Sequence, residues 1–155
     1  MATDSTKIVS EFVRNNLQYG HNGGRNPDAI PRMHRMLYID RTTTDINVKD
    51  STFYGWTVLH YQAQYGTTGS VAWLLRQDPP PDIDVRNSSQ KTPLMNAVLS
   101  DEDSEGKVRL LLDHGADRDI KNNDGDTALD LARRYNKNPA KVIDMLENYR
   151  PDVSR

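Results

Sequence analysis

One short phrase stands three times in this chain at a fixed interval: Gly55-Trp56-Thr57-Val58-Leu59-His60, Gln90-Lys91-Thr92-Pro93-Leu94-Met95 and Gly125-Asp126-Thr127-Ala128-Leu129-Asp130. Its threonines are evenly spaced, since 92 − 57 and 127 − 92 are both 35. A period in this range predicts supersecondary units stacked in a line, because one such unit cannot bury its apolar face alone. A stack of this kind offers a long surface for binding and no obvious place for chemistry.

Each phrase opens a unit that reads as two short helices followed by an extended excursion. Thr92 is placed to cap a helix with its hydroxyl, and Pro93 falls at the first helical position, where its missing N–H costs nothing. Asp101 to Gly106 is expected to break that helix. Val108, Leu110, Leu111 and Leu112 then predict a second one that stops at Gly115, a residue suited to a left-handed C-terminal position. Asn138 and Pro139 repeat the start signal in the last unit, where Val142, Ile143, Leu146 and Tyr149 recur at helical spacing.

These residues resemble the ankyrin repeat, with its Gly-x-Thr-Pro-Leu-His-x-Ala-Ala phrase, Val-Val-x-Leu-Leu helix and Gly-Ala-Asp-x-Asn ending. The clearest match is Lys107 to Asp119, and Thr57-Val58-Leu59-His60 is the best copy of the helix-starting phrase. The resemblance covers roughly residues 45 to 149. It implies an all-α solenoid with short β-hairpin fingers, an ankyrin repeat array of about four helix pairs. It also implies a structural hydrogen-bonding role for His60. Gln90 stands where the family places a hairpin glycine, which predicts a different or mildly strained turn there.

The resemblance divides the chain into one ankyrin-repeat domain over residues 5–150. A divergent N-terminal capping repeat occupies 5–47, the first full repeat 48–84, the second 85–119 and a C-terminal capping repeat 120–150, with 151–155 as a frayed tail. Ile8, Val9, Phe12, Val13 and Leu17 can form one apolar helical stripe, and Ile30, Met33, Met36 and Leu37 another. A terminal repeat is expected to diverge because one of its faces meets water. At the other end Arg133, Arg134, Lys137, Lys141, Asp144, Glu147 and Arg150 predict a charged outer side.

Residues that carry chemistry are sparse. The sequence has no cysteine, so thiolate metal sites and cysteine nucleophiles are excluded and a reducing compartment is favoured. Its four histidines, His21, His34, His60 and His114, stand at no metal-ligand spacing. Asn122 to Asp126 has oxygen donors but lacks the alternation and final glutamate of a calcium loop, and reads as a turn. A net charge of −2 gives no overall attraction to nucleic acid or an acidic membrane. No apolar run approaches a membrane span, and polar Met1 to Ser10 is not a secretory signal. No catalytic residue, metal or cofactor is predicted, and a cytoplasmic or nuclear location is expected.

The positions that ankyrin arrays commonly turn toward a partner, the fingers and the exposed face of the first helices, select a candidate surface. In the first full repeat these are Ser51, Phe53, Tyr54, Trp56, Gln64 and Tyr65. The second offers Arg86, Ser88, Ser89, Lys91, Leu99 and Ser100, and the last Lys121, Asn123, Asp124, Asp126, Arg134 and Tyr135. Four of the first six are aromatic, on a finger that folding does not require to be apolar, so Trp56 is expected to face solvent as a binding anchor. The alternative is that Phe53 and Trp56 cover the N-terminal cap. Tyr61 and Trp73 fall at apolar helix positions and are assigned to the core.

The resemblance implies a non-enzymatic, monomeric protein-binding module, an adaptor or an inhibitor comparable in kind to small ankyrin inhibitors of cyclin-dependent kinases or of Rel-type transcription factors. Its groove would suit a partner segment with an aromatic or hydrophobic anchor and acidic residues. A regulatory or targeting domain of a larger enzyme or scaffold is the alternative. Direct nucleic-acid binding is disfavoured, since Asp124 and Asp126 interrupt the basic positions.

Overall fold

The computed structural model describes residues 46, 47, 49 and 54–151. The expected cap over 5–47 lies outside these apart from its last two residues, as do candidates Ser51 and Phe53 and the tail beyond Pro151. Among the described residues six helices follow in order: α1 (Val58–Tyr65), α2 (Thr68–Leu75), α3 (Pro93–Val98), α4 (Ser104–Asp113), α5 (Ala128–Tyr135) and α6 (Pro139–Asn148). They form three pairs. Helices of six to ten residues are marginal alone and depend on packing.

Threonine starts the first helix of every pair. Thr57, Thr92 and Thr127 take extended backbone and accept from the N–H three residues on, that of His60, Met95 and Asp130 respectively. In the outer pairs the bond is reciprocated, because Thr57 N–H donates to His60 Nδ1 at 3.1 Å and Thr127 N–H to Asp130 Oδ2 at 2.9 Å. The Thr127 N–H and hydroxyl, both donating to the Asp130 carboxylate, lower its pKa from its ordinary value. Met95 has no polar group to return, and Pro93 supplies the rigid first turn instead.

Gly66 and Thr67 alone connect α1 to α2. Gly66 is required by closeness, since a Cβ there would lie 2.7 Å from the Gln62 carbonyl oxygen and collide with the Gln62 side chain. The helix expected after Gly106 begins earlier, at Ser104, because the carboxylate of Asp103 caps it by accepting from Gly106 N–H at 3.1 Å. Asn138 stands at the corresponding place before α6 but makes no side-chain cap. Gly115 adopts the left-handed conformation at φ +88° that ends α4.

The helices pack in two rows, α1 on α3 on α5 and α2 on α4 on α6, with each pair closed upon itself. The core between the rows includes Leu59, Tyr61, Val71, Leu74, Leu94, Val98, Val108, Leu111, Leu131, Val142 and Leu146. Tyr61 is in this core and Trp73 packs against it half-buried. Arg133, Arg134, Lys137, Lys141, Asp144, Glu147 and Arg150 are all exposed around the last pair.

No strand forms among the described residues, and the pairs are joined through tight turns. Asn87 and Asn122, also 35 apart, organise two of them. Asn87 Oδ1 accepts from the N–H groups of Ser89 and Lys91 at 2.9 and 3.0 Å, and Asn122 Oδ1 from those of Asp124 and Asp126 at the same distances. Gln90 does not find a different turn. It takes φ +58°, the left-handed conformation of Gly55 at +65° and Gly125 at +80°, and bears the strain of a side chain there.

Candidate binding surface

The turns lie side by side. Ser88 N–H donates to the Tyr54 carbonyl at 2.8 Å and Asn123 N–H to the Ser89 carbonyl at 3.0 Å, while the Asn123 amide reaches the Ser88 carbonyl at 3.2 Å. One ridge therefore carries Tyr54, Arg86, Ser88, Ser89, Lys91, Lys121, Asn123 and Asp124. Ser89 and Lys91 are half-buried and the other six exposed. Arg86, Lys91 and Lys121 make no ion pair among the described residues.

The remaining candidates lie at the C-terminal ends of the first helices. Leu99 and Tyr65 are half-buried, and Arg134 and Tyr135 exposed. Gln64 is half-buried and engaged, its side-chain oxygen accepting from the Asn96 amide at 2.8 Å. Arg134 pairs with Asp126 and ties the end of α5 to the last turn.

Three candidates do not face solvent as expected. Trp56 is 9 % exposed and belongs to the core, with its ring centroid 5.0 Å from that of Tyr61 and stacked on Tyr65 at 6.1 Å and 18°. Its indole lies along α1 against His60, Tyr61 and Tyr65, so its free energy is that of packing. Ser100 is buried, donating toward the Gln64 carbonyl at 2.7 Å and accepting from Lys107. Asp126 is buried beneath Arg134, with its N–H held by Asn122.

His60 is fully buried and neutral, and both ring nitrogens are used. Nδ1 accepts from Thr57 N–H, so Nε2 carries the proton and donates to the Lys91 carbonyl at 2.9 Å. Burial outweighs the other influences and lowers its pKa from 6.5 to about 4. The ring is thereby a link from α1 to the turn before α3.

Asn96 and Lys107 are among the buried polar groups that the sequence reading did not single out. Asn96 is fully buried, and its Oδ1 has no hydrogen-bond partner. Lys107 is also fully buried, with Nζ donating to the Gly66 carbonyl at 3.0 Å and to Ser100 Oγ at 2.6 Å. Its pKa falls from 10.5 to about 8 through burial, against the opposing charges of Asp103 and Glu102. Counting from the helix caps would have found both. Position four after the cap is Tyr61, Asn96 and Leu131 in the first helices, and Val71, Lys107 and Val142 in the second.

A cleft of about 550 Å³ opens where the α3–α4 and α5–α6 connections meet. Ion pairs from Asp101 to Lys137 at 2.5 Å and from Glu105 to Lys141 at 3.4 Å span it, and Asn136 lines it while donating to the Val98 carbonyl at 2.7 Å. Among the described residues no three His, Asp or Glu side chains converge as a metal site, and no helix is long and apolar enough to cross a membrane.

The profile for ankyrin repeats (3 copies) matches residues 17–117 and 80–155. No curated protein sequence matches the chain.

Proposed function

The chain belongs to the ankyrin-repeat family, whose arrays generally serve protein–protein interaction, and on that premise we propose that it is a non-enzymatic binding module acting as an adaptor or an inhibitor. One observation carries this reading. The large hydrophobic side chains left exposed among the described residues are Tyr54 and Tyr135, 65 % and 61 % exposed, and both fall in the candidate surface. Exposed aromatics are the usual anchors of an interface.

Between these tyrosines run the cations Arg86, Lys91 and Lys121. A partner segment with an aromatic or hydrophobic anchor followed by acidic residues complements that order. The turns would then act as the fingers of the array, and a fourth helix pair before residue 48 would complete it at the N-terminal side.

Selection from a displayed random-peptide library on the full chain tests this reading. The expected winners combine an aromatic with acidic residues. Their affinity should fall by about 2 kcal/mol in Tyr135→Ala, while stability changes by less than about 1 kcal/mol. Winners without acidic residues, or with affinity indifferent to both Tyr54→Ala and Tyr135→Ala, would place the binding surface elsewhere.

A further inference from the structure

In a linear stack, stability is close to a sum over units and the junctions between them, so the junction with the most costly burial opens first. The junction between the first and second helix pairs holds a fully buried ammonium, Lys107, at the place filled by Val71 and Val142 in the other pairs. Its hydrogen-bond partners are two neutral oxygens, one of them the Gly66 carbonyl at the end of α1. The nearby Asp103 carboxylate is already occupied, accepting from Gly106 N–H at 3.1 Å and from Thr68 Oγ1 at 2.5 Å. Asn96 adds an unpaired buried oxygen beside Gln64 at the same junction.

We propose that the array is jointed here: the first helix pair separates from the second as a unit while the rest stays folded, and the buried Lys107 ammonium sets how often it does so. Separation removes the Gly66 carbonyl and admits water to the ammonium, which recovers hydration that burial withholds. The asparagine oxygen gains water in the same step. At the next junction separation exposes α5 and α6, whose buried residues are Ala128, Leu131, Ala132, Val142 and Leu146, with no charge to be solvated. The joint thus lies on one side of the middle unit only, and it would let the binding ridge change its course between Tyr54 and Ser88.

Brief treatment of the full chain with an amine-reactive acyl ester, run alongside amide hydrogen exchange, tests the joint. Lys107 should be acylated at the rate at which amides of residues 58–75 exchange, at least tenfold faster than the slowest amides of α4 and α5. In Lys107→Met, exchange over 58–75 should slow at least tenfold. If Lys107 reacts only as fast as the slowest amides, it is uncovered by global unfolding alone and the joint does not exist. Unchanged exchange in Lys107→Met would equally overturn the proposal.

Discussion

The two junctions between the described helix pairs use polar groups in opposite ways. Between the first and second pairs they are inside: Lys107, Asn96 and His60 are fully buried and reach across to Gly66, Gln64 and Lys91. Between the second and third pairs the helices of the last pair bury only apolar residues, and the polar contacts sit at the rim, as in Lys137 with Asp101, Lys141 with Glu105 and Tyr149 with Asp113. Exposed ion pairs contribute little to stability, whereas a buried polar group is costly when its partners are incomplete. The difference teaches that a repeat can keep its period and caps while one position decides whether its junction is tight.

The comparison is broken most severely by removing the aromatic cover of the first pair. Trp56→Ala should cost about 3 kcal/mol in denaturant unfolding, the range for emptying a buried aromatic site. The loss should fall on helices α1 and α2 first, read by amide exchange. A cost below about 1 kcal/mol would mean that the indole is a surface group after all.

Acid should loosen the same junction through His60. The folded ring has its pKa lowered to about 4 from 6.5, so the unfolded chain binds the proton first as pH falls. Stability from this group is full above pH 6.5 and is lost between 6.5 and about 4. The loss is about 3 kcal/mol from a shift of that size. Urea midpoints of wild type and His60→Gln across this window check it, the variant giving the flatter curve.

A smaller effect sharpens the comparison. Asn96→Leu installs the residue type that Leu131 holds in the last pair and removes the unpaired oxygen. It should stabilise the protein by about 1 kcal/mol despite the lost bond to Gln64, because a missing partner on a buried acceptor is worth more than a half-exposed hydrogen bond. Denaturant unfolding at neutral pH reads the change.

Much of the frame was legible in the sequence. The threonine period located three helix starts, and Pro93, Pro139 and Gly115 took the places their backbone limits dictate. The surface was harder to read. Trp56 occupies a turn position where nothing local demands burial, and its core character comes with the approach of His60, Tyr61 and Tyr65 from α1. Ser100 reads as an exposed loop residue until Lys107, seven positions later, turns back onto it. Gln90 offered the opposite lesson: the turn geometry is set by Asn87 and its neighbours, and the residue bends to it.

The central claim, that a buried cation held by neutral oxygens weakens the first junction, is tested most directly by unfolding wild type and Lys107→Val in parallel from pH 7 to 11. The folded ammonium gives up its proton near pH 8, the unfolded one near 10.5, so in this window the unfolded chain binds more protons and stability rises with pH. Wild type should gain about 3 kcal/mol relative to the variant across the window, and the variant should be the more stable protein at pH 7. Parallel curves, or a variant less stable than wild type at pH 7, would contradict the account.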